Sequence, residues 1–272
     1  MFRALFLGFI ALTTLSFAPL PTSAGDDPKP PTAKERYIAL SAAGDTAGLV
    51  ALWVEVPDEV IPIIDSDLEG SLALWEKDGE AKRTEIDSLI ARAVAGAHAA
   101  VAATGRRRVL DYVTSFAGWR EADKKAFRSG QRAHGDAMKA MRTQNFPAAL
   151  EHGRRCLALA EPLGDWWGTA MGLQAEGMAL GGLGKKEEAA TSLSRARLIY
   201  RELGLTSSAL RIEADLAALL LELGRRPRAE AMIRDGQATA ARLENDPLIG
   251  KFETLSQLLE KKSEKPTSRP GR

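Results

Sequence analysis

Asp65, Asp67, Gly70 and Glu76 stand at positions one, three, six and twelve of a calcium-binding loop pattern. In such a loop the carboxylates surround the ion and the glycine permits a sharp turn. Leu72 suits the apolar eighth position, but Glu69 is too long for the fifth, where a short Asp or Asn is expected. Pro62 and Gly79 interrupt the helices that should flank the loop. The competing expectation is a continuous helix with a solvated acidic face and with Leu68, Leu72 and Trp75 turned inward.

Other chemistries find less support. Residues 179–186 (ALGGLGKK) lack the first Gly and the final Ser or Thr of a phosphate-binding loop, and they join helix to helix. His98, His134 and His152 are the three histidines, and no two are spaced as a zinc-binding helix requires. There is no Gly-x-Ser-x-Gly nucleophile turn. The single Cys156 excludes an internal disulfide and a thiolate zinc site. We therefore expect no catalytic residues, no cofactor and no metal, with calcium at 65–76 as the alternative.

Charge excludes a further class. The chain of 272 residues holds 37 Lys and Arg against 36 Asp and Glu, a formal net charge of +1. Such a balance gives little counterion-release affinity, so no nucleic-acid partner is expected. The run Arg106–Arg108 is expected to be a solvated loop beside the carbonyl end of a helix.

Residues 1–24 carry Arg3, an apolar stretch from Ala4 to Ala18, two prolines and small residues at Thr22–Ala24. This pattern predicts a cleaved secretory signal peptide, hence a periplasmic or secreted protein without stable membrane insertion. Export into an oxidising compartment requires Cys156 to be buried. Residues 25–32 are polar and Pro-rich, which predicts a linker; 263–272 are expected to be a disordered tail.

The elements that must position any site are helical. Three stretches starting at Gln144, Gly184 and Gly224 are 40 residues apart, and Ala149, Ala189 and Ala229 coincide at that spacing. So do Leu163, Leu203 and Leu243. Before each lies a periodic apolar segment with a small residue, Ala137, Gly177 or Ala217. A fixed period of this size predicts stacked two-helix units. Residues 246–262 predict a capping helix with Phe252, Leu255, Leu258 and Leu259 on its apolar face.

At these positions the sequence resembles the tetratricopeptide repeat family. The small residues at 137, 177 and 217, at 149, 189 and 229, and at 156, 196 and 236 match three family positions where helices cross closely. The units are longer than the family's usual ones, and Leu173 and Glu213 stand where an aromatic often sits. The resemblance covers about half of the mature chain. It implies an all-α, right-handed helical-hairpin solenoid over 130–262, preceded by a helical region over 33–129.

In that N-terminal region, Lys34–Ala43 and Thr46–Val56 form a helical hairpin with Asp45 as N-cap. Val60–Trp75, Glu80–Thr104 and Val109–Phe116 are further helices, and Glu121–Arg142 leads into the first unit. Mid-helix glycines at 168, 172, 177, 181 and 182 are costly. They are expected where helices approach closely, or where a groove is cleared for a ligand.

The resemblance further implies a groove that binds a protein or peptide. Its family positions fall on Gln131, His134, Met138 and Arg142, then Met171, Gln174 and Met178, then Arg211, Asp215 and Glu222. The function expected is a non-enzymatic interaction module. The alternative is a self-assembling scaffold of the cell envelope, which would make the chain a homo-oligomer.

Overall fold

A computed structural model describes residues 29–263. The expected signal peptide, the first half of the linker (25–28) and residues 264–272 lie outside them. The compact body begins at Thr32, and no strand occurs among the described residues. The fold is all-α: consecutive helices pack on one another in a solenoid-like series.

The N-terminal region holds α1 (Ala33–Ala43), α2 (Thr46–Glu55), α3 (Pro57–Asp78), α4 (Arg83–Thr104) and α5 (Arg108–Ala117). Asp45 caps α2 by accepting the Gly48 amide at 2.8 Å. The stretch Pro57–Thr104 is apolar and long enough to cross a membrane. The chain breaks it at Gly79 (φ 57) and folds α4 back along α3. Alanines on α4 permit this close approach: Ala93, Ala97 and Ala100 are at most 1% exposed, beside Ile64, Leu68 and Leu72. A Cβ on Gly96 would stand 2.5 Å from the Tyr37 hydroxyl, which is held on the Arg92 carbonyl, so a side chain there would displace that contact.

The helical stack consists of α6 (Glu121–Arg142), α7 (Phe146–Ala160), α8 (Trp166–Gly182), α9 (Lys186–Glu202), α10 (Thr206–Glu222), α11 (Arg226–Arg242) and α12 (Asp246–Ser263). From α7 onward each helix starts 20 residues after the one before, so alternate helices start 40 apart. The turns share one backbone form. At each, an amide reaches the carbonyl five residues back, as Lys185 to Leu180 at 2.9 Å and Arg225 to Leu220 at 2.8 Å. The residue just before that amide is left-handed. Glycine fills the position at 164, 184, 204 and 224, but Gln144 (φ 55) and Glu244 (φ 50) fill it at the ends of the series.

Small residues sit where helices cross. Ala137, Ala149, Ala189, Ala196, Ala217 and Ala229 are all 0% exposed, and Cys156 is 2% exposed. A Cβ on Gly172 would meet the Leu157 backbone nitrogen at 2.8 Å, and one on Gly177 the Leu193 Cγ at 2.7 Å. The other glycines of α8 differ. Gly182 makes room for the Phe146 ring, and Gly181 faces nearly open space. In α12, Phe252 fills the space left by Gly236 and is fully buried, with Leu248 and Leu255 beside it. Leu258 does not belong to that face: it is 45% exposed. Glu213, at the position where the sequence lacks an aromatic, is 3% exposed and pairs with Arg201 and Arg197 of α9.

The N-terminal region is fastened to the stack by α3 and α5. Helix α3 passes the N-terminal halves of α10, α8 and α6 in turn. Asp58 bonds the first residues of α10, and Glu69 and Glu76 clasp Arg128 of α6. Lys124 of α6 lies 4.1 Å from the Trp75 ring centroid. In the arginine run after α4, Arg106 and Arg107 are exposed in a loop as expected, but Arg108 opens α5 and is partly buried. Arg108 pairs with Glu202 at 2.6 Å and stacks on Trp166, while Arg106 donates to the Arg201 carbonyl at 2.9 Å.

Candidate functional site

Residues 65–76 lie inside the continuous helix α3, so the calcium loop is not formed. A helix points these carboxylates in different directions, and each is engaged elsewhere. Asp67 is 4% exposed and accepts two bonds from Arg92, at 2.5 and 2.8 Å. Asp65 accepts the Tyr112 hydroxyl at 2.7 Å, and Glu76 takes Arg128. The acidic face is solvated only in part: Glu76 is exposed, Asp65 and Glu69 are partly covered and Asp67 is buried, while Leu68 and Leu72 are buried as expected. Among the described residues no group of His, Cys, Asp and Glu could hold a metal ion.

The groove positions divide into two clusters and several isolated residues. Gln131, His134 and Met171 line a cavity of about 250 Å³. Its other walls come from α3 (Asp65, Glu69), α5 (Tyr112), α7 (Cys156) and the start of α8 (Asp165, Trp167). The chain's own α3 thus occupies this end of the expected groove, and Gln131 donates to Glu69. Asp165 is the N-cap of α8: its Oδ1 accepts the Gly168 amide at 2.8 Å.

Burial sets the electrostatics of this cavity. It raises the Asp165 carboxyl to about 7, and repulsion by Asp65 and Glu69 adds to the rise. It raises Asp65 to about 6 against the lowering effect of the Tyr112 hydrogen bond. It lowers His134 and pushes the Cys156 thiol to about 12, so that thiol is a buried, unreactive group rather than a nucleophile. No described Lys or Arg forms an ion pair with Asp65 or Asp165.

The second cluster lines an apolar groove of about 300 Å³ toward the C-terminal ends of α8 and α10. Met178 and Asp215 are the groove positions found here. Met141, Phe146, Ala218 and Leu219 form its apolar walls, and Gly177 and Gly181 lower its floor. Asp215 pairs with Lys251 of α12 at 2.7 Å. Gln174 accepts the Tyr200 hydroxyl at 2.9 Å and so has a packing role. Met138 is half-buried, and Arg142, Arg211 and Glu222 are exposed, with Glu222 held 3.0 Å from Lys186. The ten positions do not converge on one surface.

Sequence reasoning missed Asp165 and Tyr112. An Asp before an apolar helix is an N-cap signal and could have marked Asp165. No local signal places Tyr112 opposite Asp65, 47 residues away. No protein-family model matches the chain. No curated protein matches it either.

Proposed function

We propose that the protein is an exported, non-enzymatic interaction module that binds a peptide or protein segment in the groove between α8 and α10. The observation that carries this is the apolar groove itself. Met141 and Met178 supply adaptable, polarizable contacts, and Gly181 leaves room that any side chain would fill. The Asp215–Lys251 pair at its margin offers both signs of charge to a partner's backbone or side chains.

A tetratricopeptide-like stack is the parent architecture of this proposal. Helix starts at 40-residue intervals and small residues at the crossings support it. The departure is α3, which covers the N-terminal half of the expected binding face and leaves the C-terminal half open. Export rests on the sequence of residues 1–24 alone.

Peptide selection on the purified chain tests the binding surface, with Gly181→Leu as the blocking variant. A Cβ at 181 meets nothing closer than the Ala189 Cβ at 4.0 Å, so a side chain starts there without a clash, and circular dichroism reports whether the larger Leu leaves the fold intact. Selected peptides should lose affinity for that variant. Equal affinity for the two proteins would overturn the groove assignment.

A further inference from the structure

The cavity between α3, α5 and α8 presents an imbalance that the fold does not resolve. Asp165 is 5% exposed, and one of its oxygens takes the Gly168 amide while the carboxylate also lines the cavity. Asp65 faces the same space and receives only the neutral Tyr112 hydroxyl. Glu69 is neutralised by Arg128. Asp65 and Asp165 have no cationic partner among the described residues: Asp165 is met only by amides at the start of α8, which offset part of its burial. His134 also lines the cavity, and burial lowers its pKa, disfavouring its charged form.

Phe127, Trp167 and Tyr112 also line the cavity, together with Cys156 and Met171. Ring faces attract cations, and aromatic walls beside carboxylates form a recognised setting for ammonium groups. The carboxylates do not group as a metal site does. We propose that this cavity binds an alkylammonium group, with Asp165 and Asp65 as its counter-charges and the aromatic rings around its methylenes. The group could be a free primary amine or a lysine side chain of the segment bound in the neighbouring groove. In the second case the inference deepens the proposed function.

Calorimetric titration of the full chain with n-butylammonium, at a pH where both carboxyls are ionised, tests this. n-Butanol serves as the neutral control, and N-acetyl-lysine methylamide as the side-chain probe. Saturable binding of butylammonium and none of butanol is expected. Asp165→Asn, which retains a capping oxygen, and Asp65→Asn, which retains an acceptor for Tyr112, should each weaken it by about tenfold or more. Circular dichroism of both variants reports whether they fold, and Trp fluorescence gives a second readout through Trp167. Binding of both cations supports a lysine side chain as the source, and binding of butylammonium alone supports a free amine. No saturable binding, equal binding of butanol, or unchanged affinity in both folded variants would overturn the proposal. Gly181→Leu should leave amine binding intact, so failure of the groove assignment and failure of the ammonium site are distinguishable.

Discussion

The carboxylate of Asp58, in the first turn of α3, caps α10: it accepts the Ser207 amide at 3.0 Å and the Ser207 hydroxyl at 2.7 Å. It also accepts the Thr206 amide. The turns before α7, α8 and α12 place Asn145, Asp165 and Asn245 at the capping position, each bonding within its own helix, whereas Lys185 and Arg225 before α9 and α11 give no side-chain cap. At α10 that position is Leu205, which has no capping oxygen. A residue from the N-terminal region takes over, and Trp53 packs so close to Gly204 beside it that a Cβ there would stand 3.1 Å from the indole ring. A cap thus becomes an attachment between the two halves of the body.

Asp58→Ala should therefore cost about 1–2 kcal/mol, measured by urea denaturation. Hydrogen exchange should rise at the first turn of α10 and in α2 together. Faster exchange in α10 alone would mean that the cap does not hold the N-terminal region.

Much of this architecture was legible in the sequence because it is local and periodic. The 40-residue spacing and the small residues at 137, 149, 189, 217 and 229 marked the stack and its crossings. Pairing across the halves was not legible. Asp58 and Ser207 are 149 residues apart, Arg108 and Glu202 are 94 apart, and no pattern within either segment names the other. The groove was legible only in part. The family resemblance placed Met178 and Asp215 in one groove, but it could not show α3 lying over Gln131, His134 and Met171.

Turn geometry makes a second prediction. Gln144 and Glu244 hold the left-handed conformation that glycine holds at the intervening turns. Gln144→Gly and Glu244→Gly should each stabilise the protein by about 0.5–1 kcal/mol, because a Cβ in that region is strained. Thermal denaturation checks this, and a fall in Tm for both variants would contradict it.

Two glycines of α8 should behave oppositely. At Gly177 a Cβ would crowd Leu193 Cγ at 2.7 Å and the Ala189 carbonyl at 3.2 Å. Gly177→Ala should cost about 1–3 kcal/mol through overpacking. At Gly181 the space is open, and Gly181→Ala should add up to about 1 kcal/mol from helix propensity. Equal effects in denaturant titrations would place the crossing elsewhere.

The buried carboxyls predict an unusual pH profile. Asp165 and Asp65 titrate near 7 and 6 in the folded protein, above the ordinary value of 3.8. The folded state then binds more protons than the unfolded state between those limits. Their contribution is fully present below about 4 and is lost as pH rises through 6 and 7. Asp165→Asn keeps the cap and removes the charge, so at pH 8 it should be more stable than the parent by about 2 kcal/mol. A parent whose stability does not fall across this range would contradict the burial of these groups.

Hydrogen exchange of the full chain with and without a selected peptide tests the central claim most directly. Binding in the groove predicts new protection over residues 174–182 and 215–222, with none in the Gly181→Leu variant. Protection confined to other helices, or the same protection in that variant, would contradict it.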